Sequence, residues 1–456
     1  MATHPLPPLD WARYNQRVID HLQQLLQLNT TNPPGNEVIA AHYIAGALRA
    51  ANLEPTVLES AEGRGNVVAR LHGTGEAAPL LLMSHTDVVP VEADKWQHDP
   101  FGGEIHDGYI WGRGALDMKH IVAQHLTLME LFSELSQQGY RLNRDLILMA
   151  AADEERGGDF GAQWLVDNHP ELIRAEYALN EGGGVTQKIG DGLFMMVQSA
   201  EKGLARFSLT LEGEPGHGSI PRPNNALLRL AEVVATLGRT ALPAHMTPTV
   251  AAFLTAIATQ LSAQDAERIQ RMIGDPTLVD ELLPLLDLPE ERKYYFAALT
   301  HNTVTPTVFN GGSKINVIPS EVTARFDGRT LPGFDRERFQ AELAPSLPDD
   351  VTLTWEEPDG KPLESELDSP LFDAIQQSIA AHYPDVTLVP TMLTGATDAK
   401  AIVQLGTKVY GFSPARHDPD LELANLVHGH NERNRVSNVQ FGLNVLADVV
   451  WRFAGA

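Results

Sequence analysis

The stretch MSHTDVVP (83–90) sets His85 and Asp87 two residues apart, directly after the apolar run Leu80–Met83. In extended chain, residues i and i+2 point to one side. An imidazole that ligates a metal usually gives its other N–H to a carboxylate or carbonyl. His85 and Asp87 are therefore a candidate ligand and its orienting group, although a lone His-x-Asp is more often a polar loop. WGRGALDMK (111–119) carries Asp117 after Gly112 and Gly114. A carboxylate has two oxygens and can bridge two cations, or it can simply cap the helix that follows. AADEERGG (151–158) holds Asp153, Glu154 and Glu155 after another apolar run. Two adjacent glutamates reach one point only if the backbone turns, and one natural division is a metal ligand plus a general base. LNEGGG (179–184) places Glu181 before three glycines, and LVHGHNERN (426–434) carries His428, His430, Asn431 and Glu432. Each cluster alone has an ordinary surface explanation. Together they put carboxylates and histidines at the ends of several short apolar runs. The carboxyl ends of strands are where α/β sheets place their sites.

Those runs require a scaffold. Residues 15–28 show near-helical spacing of Val18, Leu22, Leu25, Leu26 and Leu28. TTNPPGNE (30–37) breaks that helix, and another is expected at Val38–Ala51. Asn66–Leu71, Leu80–Met83, Leu146–Ala151 and Tyr177–Leu179 read as buried strands, with helical stretches near 119–136 and 159–168. The alternation indicates an α/β fold with a mainly parallel sheet and helices on both faces. The pattern changes near residue 198. LARFSLTLEG (204–213) alternates like a half-exposed strand, a helix follows at 224–238, and a Pro-punctuated helical insert spans 245–298. KINVIPSEVTARFDG (314–328) reads as loop plus strand. The α/β pattern resumes with a helix at 370–382, the strand Lys408–Phe412 and a helix at 438–453. Residues 1–198 and 330–456 are thus expected to form one α/β domain, interrupted by an inserted α+β domain at 199–329.

Composition closes several doors. The chain has 456 residues, 34 basic and 59 acidic, a formal net charge of -25 and no cysteine. Disulfides, thiol nucleophiles, thiolate zinc sites and iron–sulfur ligation are excluded. A metal must then be held by His, Asp or Glu. The acidic balance argues against nucleic acid as a partner. The N-terminal stretch lacks the features of a signal peptide, and no apolar run spans a bilayer, so no membrane partner and a cytoplasmic location are expected.

The ordered run SHTDVVPV, PFGGEIHDGYIWGRGALDMK, DEERGG, NEGGG and VHGHNE resembles the dinuclear zinc aminoacylase and carboxypeptidase family. That family includes acetylornithine deacetylase, succinyl-diaminopimelate desuccinylase, aminoacylase, carboxypeptidase S and glutamate carboxypeptidase. The resemblance implies a zinc-hydrolase catalytic domain with two Zn2+ per subunit, Co2+ or Mn2+ being able to substitute. By it, His85 and Glu181 hold one ion, Glu155 and His428 the other, and Asp117 bridges. Asp87 supports His85, and Glu154 is the general base. It further implies a cis peptide after Asp117. His428 is preferred over His430 because the family spacing H-x-x-[ND]-E fits His428, Asn431 and Glu432. The inserted domain resembles the family's lid and dimerisation domain, which implies a homodimer. GEPGHGSIP (213–221) matches a loop whose histidine, here His217, reaches the neighbouring subunit's site and stabilises an oxyanion. INVIPSEVTARFDGRTLP (315–332) matches a segment bearing substrate-binding Asn316 and Arg329, and Gly395 falls in a substrate loop.

The reaction implied is hydrolysis of an amide beside a free carboxylate. Glu181, rather than aspartate, matches the deacylases and carboxypeptidases of the family. A small N-acyl amino acid is the first expectation for substrate. A carboxypeptidase or dipeptidase acting on a short peptide is the second. A serine hydrolase is disfavoured, since GFSPA (411–415) around Ser413 lacks the second glycine of G-x-S-x-G. No HExxH motif is present. A non-catalytic binding module on the same fold is expected to lack the base or a ligand, and none is missing.

Overall fold

The structure, a computed structural model, describes residues 5–357, 360–421 and 423–455. By contacts the chain forms two compact units. The first comprises Met1–Ser199, Ser365–Pro390 and Thr397–Ala456, and the second Ala200–Glu364 with Thr391–Ala396.

In the first unit, helix α1 (Trp11–Gln27) is capped by Asp10 and buries Val18, Leu22, Leu25 and Leu26 on one stripe. Helix α2 (Val38–Ala50) follows, then strands β1 (Thr56–Glu59), β2 (Gly65–Leu71) and β3 (Ala77–His85). A hairpin of β4 (Ile105–His106) and β5 (Tyr109–Trp111) leads into helix α3 (Lys119–Gln137), then β6 (Arg144–Ala151) and β7 (Tyr177–Asn180). The sheet runs β1-β2-β6-β3-β7, continuing to the strands at Lys408–Gly411 and Gly192–Glu201. Strand β3 runs parallel to both β6 and β7, and β7 runs parallel to the strand Lys408–Gly411. Strand β2 is antiparallel to both of its neighbours, β1 and β6.

Alternation along β6 shows that both faces are covered. Leu146, Leu148 and Ala150 join the core shared with α1, α2, α3, Pro370–His382 and Val436–Ala454. Ile147, Met149 and Ala151 point to the other face and are equally buried. The four parallel strands end on the same side at His85, Ala151, Asn180 and Gly411. Every candidate ligand loop but those of Asp117 and His428 starts from one of these ends.

The second unit is built on an antiparallel sheet in which Glu321–Thr330 pairs with Phe207–Glu212 on one side and Thr303–Gly311 on the other. Phe207, Leu209 and Leu211 face a core with Leu230, Val233 and Phe326. The helical insert consists chiefly of helices Pro248–Ala258, Ala263–Gly274 and Glu290–Thr300.

The second unit extends past the boundary at 329 expected from the sequence. Strand Thr352–Trp355 pairs with Phe207–Glu212, and Phe339 and Leu343 of helix Arg336–Leu343 lie in the same core. Pairing to a distant strand, not local pattern, assigns residues 330–364 here. Among the described residues, no helix is long and apolar enough to cross a membrane.

Candidate metal centre

His85 closes β3, and Asp87 follows it, both fully buried. The Nδ1 of His85 lies 3.1 Å from the Asp87 carbonyl oxygen and 3.4 Å from its Oδ1. With that N–H donated to Asp87, the Nε2 lone pair is left to face the site. Nε2 is 3.2 Å from Asp117 Oδ1, 3.8 Å from Glu181 Oε1 and 4.0 Å from Glu154 Oε2.

The turn needed to aim two adjacent glutamates is present. Asp153 sits at φ +69°, a conformation costly for a residue with a side chain, and Glu154–Arg156 forms a single 3-10 turn. That turn is fastened to Asp87: the Glu154 and Glu155 N–H groups donate to Asp87 Oδ1 and Oδ2, each at 3.1 Å. Glu181 follows β7, where Gly184 (φ +90°) packs so tightly on Ser413 that a Cβ would fall 2.2 Å from its backbone.

The Asp117 loop is held by Glu432. Its buried carboxylate accepts from the N–H groups of Gly114, Leu116 and Asp117 at 3.1, 2.7 and 3.0 Å, and pairs with Arg113. The peptide Asp117–Met118 is cis. Asp117 lies between two imidazoles, its Oδ1 toward His85 and its Oδ2 3.1 Å from His428 Nε2. His428 Nε2 is also 3.2 Å from Glu155 Oε2, whereas His430 Nε2 lies 2.8 Å from Glu92. The site thus gathers His85, Asp117, Glu154, Glu155, Glu181 and His428.

The donors of His85, Asp117 and Glu155 lie within 4.8 Å of one another, as do those of His85, Glu154 and Glu181. Glu155 Oε1 is buried and has no hydrogen-bond partner. Buried carboxylates at this density need cations or protons. The shifts express that need. Burial and the neighbouring Glu181 push Glu154 well above the usual range. Burial, with Asp117 and Asp398, pushes Glu181 up to about 8. His428 is raised to about 10 by hydrogen bonds to Asp117 and Glu155. His85 is raised despite its burial, by Glu181, Asp117 and Asp87. Asp117 is held low because His428 and His85 outweigh its burial. A histidine and carboxylate set fits borderline divalent ions such as zinc.

The other candidates belong to the second unit. His217 is exposed on a two-residue strand paired with Val317–Ile318, and its Nδ1 lies 2.7 Å from Ser219 Oγ. Asn316 is beside it, its carbonyl accepting from Gly218 N at 2.8 Å. Arg329 is gripped by Asp327, with Nε and Nη2 donating at 2.5 and 3.1 Å. Gly395 lies in a bend of Thr391–Ala396.

The sequence reading missed a second tier. Asn32 donates to Asp87 Oδ2 at 2.8 Å and to Asp153 Oδ1 at 3.0 Å. Arg64 donates to Asn32 at 2.9 Å and to Glu37 at 2.5 Å, and lies 3.2 Å from Asp153. The TTNPPGNE segment holds two of these residues, so its polar pair around the prolines was the available signal. Asp398, buried and with neither carboxylate oxygen hydrogen-bonded, is a further neighbour. Burial raises it to about 6.

Replacing Arg64 with Met leaves Glu37 and Asp153 buried without their cation. Urea unfolding is expected to register a loss of about 3–5 kcal/mol, much of it restored by Arg64→Lys. The shifts also set a pH dependence for the metal-stripped chain. Carboxylates raised on folding hold protons that the unfolded chain releases, so Glu154 and Glu181 make stability fall as pH rises from about 4.3 toward 8. Raised histidines act in the same direction: His428 contributes fully below about 6.5 and loses that contribution toward pH 10. Asp87 and Asp117, which are lowered, contribute fully above about pH 4 and do not offset this. The buried bases His120, His125, Lys119 and Lys202, lowered by burial, act in the opposite direction. The contribution of the site is therefore read as a difference: in chelator, Glu181→Gln should lose less of its urea midpoint between about pH 5 and 8 than the unsubstituted chain, and equal slopes would show that Glu181 is not raised by folding.

The model of peptidase family M20/M25/M40 matches residues 81–452. Probable carboxypeptidase S-like 2 of Dictyostelium discoideum is 29% identical over 373 residues, covering 79% of this chain and 69% of that protein. Aminoacylase-1 of Mus musculus is 28% identical over 420 residues, covering 90% of this chain and 89% of that protein. Among solved structures, an M20 family metallo-carboxypeptidase from Sulfolobus solfataricus superposes with a TM-score of 0.67 at 20% identity, covering 96% of this chain and 98% of that one. A dinuclear metal-binding M20 peptidase from Bacillus subtilis gives 0.58 at 13% identity, covering 96% and 98%. A family match across most of the length, on a chain whose strand ends gather this set of carboxylates and histidines, leads to one conclusion: the chain belongs to peptidase family M20/M25/M40, a family of metallohydrolases.

Proposed function

We propose that the chain is an N-acyl-amino-acid amidohydrolase, hydrolysing the amide of a small N-acyl amino acid with two zinc ions. The carrying observation is Asp117, set between His85 and His428, with Glu181 close to the first imidazole and Glu155 close to the second. His85 and Glu181 would hold one ion, Glu155 and His428 the other, with Asp117 shared. When bound, such ions supply Lewis acidity, polarising a carbonyl and lowering the pKa of water. The remaining work falls to the chain. Glu154, buried beside His85 and Glu181, would take a proton from the attacking water and return it to the leaving amine nitrogen. Asp87 keeps His85 in one tautomer and fixes the backbone N–H of Glu154.

His217 supplies oxyanion stabilisation from a neighbouring subunit, Arg329 clamps the substrate carboxylate, and Asn316 and Gly395 line the substrate. The aminoacylase-1 match, covering about nine-tenths of both chains, favours the deacylase reading. The carboxypeptidase S-like match supports a carboxypeptidase or dipeptidase as the second reading. A cytoplasmic location is part of the proposal.

A homodimer through the second unit is also proposed. Thr303–Gly311 is an edge strand whose residues from Thr305 onward are exposed, including Val308 and Phe309. Pro306 and the register shift after it interrupt the edge, so the pairing surface would be the stretch beyond them, where Val308 and Phe309 are exposed.

Glu154→Gln should leave metal content unchanged and lower kcat by about 10²–10⁴-fold; a fully active variant removes Glu154 from the base role. A panel of N-acetyl and long-chain N-acyl amino acids, dipeptides and acetylornithine, scored by released amine, should give its highest kcat/KM on an N-acyl amino acid. Preference for a dipeptide selects the second reading. Val308→Asp with Phe309→Asp should convert the chain to a monomer in sedimentation velocity, and an unchanged dimer places the interface elsewhere.

A further inference from the structure

We propose that His98, Glu104 and His106 form a peripheral divalent-cation site, separate from the Asp117 centre. Each offers a donor atom within 4.8 Å of the others. His106 Nε2 is already 2.8 Å from Glu104 Oε2. The His98 and His106 rings stack face to face, at 3.8 Å between centroids and 9° between planes. The edge of Trp111 packs on His98 at 4.6 Å and keeps that ring in place. Two imidazoles and a carboxylate are a ligand set for a borderline ion such as zinc, with water completing a tetrahedron.

Closure onto an ion requires movement that the site permits. Zinc bonds of about 2.0–2.2 Å place donors about 3.5 Å apart, so the rings must splay and the carboxylate swing by about an ångström. The side chains of Glu104 and His106 are 54% and 39% exposed and can rotate without disturbing the core. The simpler alternative is that the cluster is only a His106–Glu104 ion pair beside a ring stack.

The position suggests what the ion does. His106 lies on β4 and Glu104 just precedes it, and the Glu104 carbonyl accepts from Trp111 N at 2.9 Å. β5 pairs with Arg433–Arg435, just beyond Glu432. The next residues, Gly112–Asp117, are the loop that Glu432 holds. A cation joining His98 to β4 would close the 98–106 loop on itself at the base of that hairpin and stiffen the segment from which the Asp117 loop springs. Its role is structural, so removing it should spare turnover.

The test uses the full chain, stripped with chelator, reloaded with zinc, freed of excess by gel filtration and assayed for bound metal. His98→Ala with His106→Ala is expected to bind one zinc ion fewer than wild type, to show a smaller zinc-induced rise in Tm, and to keep kcat within about twofold. Glu104→Gln should weaken the same ion without removing a ring. The double substitution is repeated on an Asp117→Ala background, where the central ions are disturbed. It should again remove one ion, which separates this site from the reading of the centre. Equal zinc content with and without the two histidines, in both backgrounds, overturns the proposal, as does loss of turnover with an unchanged zinc count.

Discussion

Several carboxylates buried at one end of a sheet repel one another, and this repulsion is the constraint on which the first unit depends. Nothing in folding favours bringing Asp87, Asp117, Glu154, Glu155 and Glu181 together, because desolvation alone disfavours each charge. The fold divides them by task. The Asp87 carboxylate accepts from Asn32 and two amide N–H groups, and that of Glu432 from three amide N–H groups and Arg113. Burial raises the proton affinity of Glu432 as well as that of Glu154 and Glu181, so what separates the pairs is hydrogen bonding: the first pair builds the site and the second faces it.

Asp87 and Glu432 are the same device used twice. Each is a buried carboxylate whose acceptors organise backbone N–H groups of a neighbouring loop. Asp87 pins the Glu154–Glu155 turn, and Glu432 pins Gly114–Asp117. Each is tied to a buried arginine, Glu432 directly through Arg113 and Asp87 through Asn32 to Arg64. Charge-assisted bonds of this kind are short and directional. They hold loops at strand ends in fixed register, although loops are otherwise the mobile part of a fold. The ligands then need little rearrangement to meet an ion.

The central parallel strands and the ligand candidates were legible because their signals are local. Short apolar runs ending in His, Asp or Glu mark strand ends, and the His-x-Asp spacing offers a ligand with its orienting group. What was not legible depends on distance along the chain. Asn32 reaches across 55 residues to Asp87 and 121 to Asp153, and in sequence it is only part of a helix-breaking segment. Glu432 works through backbone amides, which carry no sequence mark. The boundary at 329 missed the short strand Thr352–Trp355, whose partner Phe207–Glu212 lies far back in the chain. The antiparallel edge strand Thr303–Gly311 was hidden because it is exposed on both faces from Thr305 onward, which removes the alternation a strand usually shows.

The net charge of -25 poses a problem for any anionic substrate, and the proposed Arg329 clamp would meet it locally. Its guanidinium is paired with Asp327, which at first weakens it as an anion site. The geometry says otherwise. Asp327 takes Nε and one proton of Nη2, and a guanidinium has five N–H donors in a rigid plane. The Nη1 edge remains, oriented by the carboxylate behind it. A lone arginine on a flexible stem would have to be ordered by the substrate at a cost in entropy, whereas this one is ordered in advance. In the proposed clamp, Asp327 would thus lower the long-range pull on an anion and improve its close-range recognition. Planar matching would then carry the selectivity for a carboxylate, and the bulk charge of the protein would matter little to it.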